Sequence, residues 1–330
     1  MLEDPGLDPD ELAGALRTAY GIDASVLCFL RSHDLHAASY QVVASEGSFF
    51  LKVRFDGLRE TALEVPRALL EAGVPNILAP LRTRSSALWA PMGDRSLVLH
   101  PFVTGRNAMV VGLTDDQWRT FGATLRAVHD SGLDQRFADL LPVDHFSLAA
   151  SRPVRRCLEL AEHGTFASPA ARRMAEFWRA QAGRIDAVLA RAEQLGMRLR
   201  ARRFDPVLCH ADIHAANILV TDEDGILLVD WDGPMIAPRE RDLLFVIGSR
   251  IARSVEPSEE ARFFEGYGAV EVIAEAIVYY RYERILEDIG LDGASVLLDP
   301  SLTEPTRQEQ TDLVISFFAP GGILESAEQV

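Results

Sequence analysis

Lysine is almost absent from this chain: of its 33 basic residues one is a lysine, Lys52, and the other 32 are arginine. A lysine-rich surface is thereby excluded, and because an ammonium and a guanidinium differ in chemistry, the single survivor is worth placing. Cysteine is scarce too. Cys28, Cys157 and Cys209 are odd in number and widely spaced, with no CxxC pair, which excludes a disulfide framework, a zinc ribbon and a dithiol redox motif. They are expected to be small buried apolar residues. No apolar run approaches the roughly 18 residues of a membrane span. Met1-Leu2-Glu3-Asp4-Pro5 has neither the basic region nor the apolar core of a signal segment, so a cytoplasmic protein is expected.

Positive charge is also in deficit. The 33 basic residues face 49 acidic ones, for a net charge of −16. Nucleic-acid backbones and anionic membranes would be repelled, and a cationic ligand attracted. The acid is unevenly spread: from Val255 to Val330 there are 16 Asp and Glu against 4 Arg. Solubility alone accounts for such an excess, so the charge says what the partner is not before it says what it is. The chain contains no internal repeat and no low-complexity tract.

In 330 residues, 48% of them apolar, there is material for one large or two ordinary domains. Asp8-Pro9-Asp10-Glu11 opens an amphipathic helix through Leu12, Leu16 and Ala19. Strands are expected at Ser25 to Leu30, Ala38 to Ala44, Ser48 to Phe55, Leu78 to Leu81 and Ser96 to His100, with a helix from Leu58 to Ala72 ended by Gly73. After Pro101 and Gly105 the pattern turns helical. Thr114-Asp115-Asp116-Gln117 has the form of a capping box and opens a helix to Asp130. Further helices are expected through Ser151 to Arg203 with a break near Gly164 to Pro169, and from Arg241 onward, including Val270 to Ile289. Strands followed by helices predict an α+β protein of two lobes that join near residues 100 to 106.

Between the helical blocks lies the segment Cys209-His210-Ala211-Asp212-Ile213-His214-Ala215-Ala216-Asn217, then Ile218-Leu219-Val220, an acidic turn with Asp224-Gly225, and Ile226-Leu227-Leu228-Val229-Asp230-Trp231-Asp232. Two apolar runs around Asp-Gly predict a β-hairpin. A four-residue connection sets Asn217 opposite Asp230, and a two-residue loop sets it opposite Asp232. In either register an amide and a carboxylate lie about 5 Å apart, able to share a hard cation. Asp212, five residues earlier, is placed to accept a proton from a hydroxyl. A base, an oxygen pair for a metal and a distant strand lysine are the parts that phosphoryl transfer requires.

The order His210-x-Asp212-x-x-x-x-Asn217 followed by Asp230 resembles the catalytic core of protein kinases. With His-x-Asp and Asp-Trp in place of His-Arg-Asp and Asp-Phe-Gly, it resembles more specifically the aminoglycoside phosphotransferases. Lys52, in Phe49-Phe50-Leu51-Lys52-Val53-Arg54-Phe55, falls where that family has its N-lobe strand lysine. Leu99 to Val103 looks like the adenine hinge, Gly122 to His129 like the helix under the catalytic loop, and Arg239-Glu240-Arg241-Asp242-Leu243 like the segment whose aspartate supports that loop. Phe264-Glu265-Gly266-Tyr267 and Tyr279-Tyr280-Arg281-Tyr282-Glu283-Arg284 are similar to the spectinomycin 9-phosphotransferase branch.

What the resemblance implies is a bilobal protein-kinase-like fold. A small N-lobe at residues 1–100, an antiparallel sheet with a helix, binds nucleotide; a larger, mainly helical C-lobe at residues 101–330 carries catalysis and substrate, with the hinge at about 99–106. Asp212 is the base, Asn217 and Asp230 hold Mg²⁺, and Lys52 contacts the α and β phosphates of ATP or GTP with Glu60, or failing it Glu64, as its partner. Leu99, Phe102 and Val103 receive the base, and His210 supports the loop. Arg31-Ser32-His33-Asp34-Leu35-His36 has no glycine where kinases place a glycine-rich loop, which leaves Ser32 or other amides to cover the phosphates. The implied reaction is phosphorylation of a hydroxyl of a cationic aminocyclitol antibiotic, spectinomycin by branch, conferring resistance.

Some roles stay open at this level. Trp231 is either core filler or a wall of the substrate pocket. Glu283 is either a solvated helical charge, the reading favoured for helical carboxylates, or a contact to a substrate ammonium. His33, His36, His100, His129, His145, His163 and His214 show no metal-ligand spacing. The rival readings are a kinase of choline, homoserine or methylthioribose, and, in another class, a catalytically idle kinase-like binding protein, against which the intact Asp212, Asn217, Asp230 and Lys52 argue.

Overall fold

Asp8 starts the first helix, α1 (Pro9–Tyr20), by accepting the Asp10 amide on its carboxylate, and Gly21 ends it at φ 75°. The computed structural model describes residues 4–32, 36–320 and 322–328. Beyond α1 come β1 (Ala24–Leu30), β2 (Ala37–Ala44), β3 (Gly47–Arg54), α2 (Thr61–Glu71), β4 (Ala90–Met92) and β5 (Arg95–Pro101). These strands form one antiparallel sheet in the order β1-β2-β3-β5-β4. Strand alternation gives it two chemically distinct faces. Leu51, Val53, Leu97 and Leu99 are buried in one core with Leu12 and Leu16 of α1, and Lys52 and Arg54 stand on the other face.

The strand expected at Leu78 to Leu81 is not a ladder strand. Its chain is joined by single bonds, Leu78 N to Leu228 O at 3.1 Å and Leu81 N to Leu99 O at 2.7 Å. The three-residue β4 was not expected, being too short to show a period.

Past Pro101 follow β6 (Gly105–Asn107), α3 (Ala108–Val111), α4 (Asp115–His129) and α5 (Leu133–Arg136). The capping box at the head of α4 forms in both directions, Thr114 Oγ1 accepting from Gln117 N at 3.3 Å and Gln117 Oε1 from Thr114 N at 2.9 Å. Next are α6 (Ser151–His163) and α7 (Pro169–Arg200), with the expected break between them, then β7 (Val207–Cys209), β8 (Ile218–Thr221), β9 (Ile226–Leu228), β10 (Met235–Ala237), α8 (Glu240–Leu243), α9 (Pro257–Tyr267), α10 (Ala274–Leu298), α11 (Glu304–Phe317) and α12 (Ile323–Glu328). An antiparallel amino-terminal sheet and a helical carboxyl-terminal region make this the expected α+β, kinase-like fold. None of the described helices is long and apolar enough to cross a membrane.

The sheet ends at Pro101, within the expected hinge, but the compact units are drawn differently. One unit comprises Met1–Pro142, Leu208–Ile236 and Ala261–Gly268; the other comprises Val143–Val207, Ala237–Glu260 and Ala269–Val330. The first unit therefore holds the sheet together with the whole Asp212 to Asp232 segment. Within it α4 and the end of α9 touch backbone to backbone: a β-carbon at Gly122 would stand 2.1 Å from the Phe263 carbonyl oxygen, and one at Gly266 would stand 1.9 Å from that of Arg119.

Candidate active site

The Asp212 loop leaves the buried strand β7 through His210, which has no exposed surface. Its Nε2 donates to the Val229 carbonyl at 2.9 Å and its Nδ1 accepts the Asp212 amide at 3.3 Å, so both ring nitrogens are committed to holding the loop. Ala211 turns the chain at φ 68°, and buried Ile213 anchors the far side. Between them the Asp212 carboxylate stays about one-third exposed, 3.5 Å from His214 Nε2. His214 in turn accepts the Ala216 amide on Nδ1 at 3.2 Å and caps the 3₁₀ turn Ala215–Asn217.

Asn217 closes that turn and donates its Nδ2 to the Asp212 carbonyl at 2.8 Å. This bond ties the loop to the hairpin and leaves Oδ1 as the amide's ligand atom for a hard cation. The β8–β9 register differs from both expected ones. Val220 pairs with Ile226 and Ile218 with Leu228, so Asn217 lies opposite Val229, whose amide it accepts at 3.0 Å. The reason is the turn: Thr221 N bonds Gly225 O at 2.9 Å around a three-residue loop, with Asp224 at φ 61°. Asp230 follows one residue past the Asn217 position, at φ 63°, a left-handed backbone that re-aims its side chain off the strand period.

Asp230 and Asp232 both reach the lysine of β3: Lys52 Nζ is 3.7 Å from Asp230 Oδ1 and 3.2 Å from Asp232 Oδ2. Arg54, two residues further along the same face, places Nη1 3.2 Å from the same Asp232 oxygen and Nη2 3.6 Å from Asp56. Partial desolvation raises the Asp230 carboxyl, with Lys52 opposing and Asp232 reinforcing the rise. Desolvation also works against Asp232, but Lys52 and Arg54 outweigh it and hold that carboxyl below the usual range. Both aspartates keep half of their side-chain surface open. Two open carboxylates and an amide oxygen are hard donors that fit Mg²⁺, and two cations beside them fit phosphate oxygens.

The remaining expected positions fall as follows. Leu99 is a correction: alternation turns its side chain into the α1 core, and the β5 residues on the Lys52 face are Ser96, Val98 and His100. Phe102 donates its amide to Ser48 O at 3.1 Å, and Phe102, Val103 and Ser32 are partly buried. His33 to Leu35, in the turn lacking glycine, lie outside the described residues. Glu60 is exposed and accepts the Trp89 indole N–H at 3.3 Å, while Lys52 meets Asp230 and Asp232. Trp231 is 3% exposed, packs its ring at a tilt with its centroid 4.4 Å from that of His210 and donates to Leu228 O at 3.4 Å, which makes it core that backs the loop. The favoured surface reading of Glu283 is overturned, since in the second unit it is buried and accepts from Arg241 Nη1 at 3.0 Å and Tyr279 OH at 2.8 Å.

Sequence reasoning missed Arg54 and His214, and it named Asp232 only as the carboxylate that a two-residue loop would set opposite Asn217. Arg54 carried a usable signal, a second cation at strand spacing from Lys52. His214 carried none.

Comparison with known proteins bears on the family and the fold. Residues 30–279 match the profile described as "Phosphotransferase enzyme family". The crystal structure of spectinomycin phosphotransferase APH(9)-Ia in complex with ADP and spectinomycin is 29% identical, with a TM-score of 0.88 over 98% of each chain. The AMP-bound complex of the same enzyme is 30% identical, with a TM-score of 0.86 over 98% of this chain and 99% of that one. Protein StrN of Streptomyces griseus is 29% identical over 206 residues, which is 59% of this chain and 63% of StrN, a little under two-thirds of that relative's length.

Proposed function

The chain belongs to the phosphotransferase enzyme family, and we propose that it transfers the γ-phosphate of ATP to a hydroxyl of a cationic aminocyclitol antibiotic, with spectinomycin as the first candidate. The observation that carries the reading is the juxtaposition of Lys52 Nζ with Asp230 and Asp232, on the hairpin that also fixes Asn217 to the Asp212 loop. The likeness to spectinomycin phosphotransferase APH(9)-Ia, which spans nearly the whole of both chains, supports the substrate. So does the net charge of −16, which favours a cationic acceptor. A cytoplasmic site of action fits the intracellular supply of ATP.

In this reading Asp212 takes the proton of the acceptor hydroxyl as that oxygen bonds the γ-phosphorus. The bond from that phosphorus to the β–γ bridging oxygen breaks, and ADP leaves with the electron pair. Lys52 binds the α and β phosphates. Asn217 Oδ1 and Asp230 would hold Mg²⁺, which when bound offsets charge on the phosphate oxygens. His210 and Trp231 keep the loop in place, and the hinge backbone near Phe102 and Val103 receives the base. Protein dipoles and cations fixed before the reaction supply most of the stabilisation in transfers of this type.

The test is ADP release with ATP and Mg²⁺ over a panel of spectinomycin, several aminoglycosides, choline and homoserine, run beside Asp212→Ala. Turnover with spectinomycin that the variant loses supports the reading. Turnover with choline or homoserine alone moves the acceptor to a metabolite, and no turnover with any acceptor refutes the assignment.

A further inference from the structure

β3 is a ruler laid along the expected nucleotide. Its pairing with β5 runs from Phe49 opposite Pro101, at the hinge end, through Lys52 opposite Val98, to Arg54 opposite Ser96. A nucleotide with its base at the hinge and its α and β phosphates at Lys52 extends its last phosphate in the direction of Arg54, about 7 Å further along the strand. Arg54 is on the face of Lys52, by strand alternation, and its side chain is 19% exposed. The two cations share one oxygen, Asp232 Oδ2, at 3.2 Å each. Arg54 is also the β3 residue paired with Ala37, the first residue of β2 after the glycine-free turn. A glycine-rich turn could offer backbone amides to the terminal phosphate at that place; here a guanidinium fork is anchored there instead.

We propose that Arg54 is a second phosphate-binding cation, contacting the terminal phosphate of the nucleoside triphosphate, and that Asp232 holds it in place until the nucleotide arrives. The proposal rests on the nucleotide-dependent reading above and adds to it a residue that tells ATP from ADP. The guanidinium suits this task because its planar fork matches two phosphate oxygens at once. Asp232 contributes by aiming both cations. Were a metal ion held by Asp230, that carboxylate would offset less of the charge on Lys52, which would face the phosphates beside Arg54.

Calorimetric titration of AMP, ADP and a non-hydrolysable ATP analogue, in Mg²⁺, into wild type, Arg54→Gln and Arg54→Lys tests this. For Arg54→Gln the affinity for the ATP analogue should fall about tenfold or more, the size of a lost charge-assisted contact. AMP should bind as in wild type, ADP should weaken by less than about threefold, and Arg54→Lys should recover part of the loss. Equal ATP-analogue affinity in wild type and Arg54→Gln overturns the proposal, as does an equal loss for all three nucleotides. If Arg54→Gln does not fold, the ATP-to-AMP affinity ratio of Arg54→Lys decides, an unchanged ratio overturning the proposal. Wild type that binds no nucleotide refutes the phosphotransferase reading itself, an outcome separate from failure of the Arg54 role alone.

Discussion

At the scale of the residue, Asp212 and Glu283 show two uses of a carboxylate. Asp212 is accessible and fixed through its backbone, so Asp212→Asn should lower kcat by about 10²- to 10⁴-fold, the usual worth of a positioned base. Nucleotide affinity measured by titration should stay unchanged. Glu283 is enclosed: burial raises its carboxyl to about 7 although Arg241 opposes the rise. A carboxyl raised in the folded state favours folding below its unfolded value of 4.5, and that contribution is lost as pH rises to about 7. Glu283→Gln removes the titration. Its melting temperature relative to wild type should therefore rise between pH 5 and pH 8, and a difference that stays flat over this range would contradict the assignment. Asp212 was legible in the sequence because a base, an amide and a carboxylate seldom fall by chance in that order, at that spacing and around a hairpin. The burial of Glu283 was hidden because Arg241, the cation that pairs with it, lies 42 residues away in sequence, and Tyr279, one turn back on the same helix, gives no sign of burial by itself.

The secondary elements were readable where period and caps coincide, as in α1 with Asp8 and Gly21 and in α4 with its capping box. The β8–β9 register was not, because a left-handed Asp224 closes a three-residue loop, intermediate between the four- and two-residue connections that the pattern offered. The contact of α4 with α9 was equally invisible. Helical glycines ordinarily gain about 1 kcal/mol when changed to alanine. At Gly266 the added carbon would meet the Arg119 carbonyl, a backbone group that cannot swing aside, and overpacking of about 1–3 kcal/mol or more should win. At Gly14 in α1, where an added carbon would meet nothing within 4 Å, the propensity gain should stand. Thermal unfolding of Gly266→Ala and Gly14→Ala should thus shift in opposite directions, and equal shifts would mean that α4 and α9 do not pack as described.

A net charge of −16 should draw a dicationic acceptor in by a field that salt screens over about 8 Å at physiological ionic strength. Raising salt from about 50 to about 500 mM should raise KM for spectinomycin more than it lowers kcat, as steady-state kinetics would read directly; an insensitive KM would leave the acid excess as solubility alone. The division into compact units could not be foreseen from a linear reading, because Leu208–Ile236 returns to the unit that contains the sheet. The near-absence of lysine gives the chain one more property. Apart from the α-amine, the only primary amine available to an acylating reagent is the one facing Asp230 and Asp232, so a mass increment beyond that of the α-amine, present or blocked, would report whether the space beside these two carboxylates is occupied, without any label designed for it.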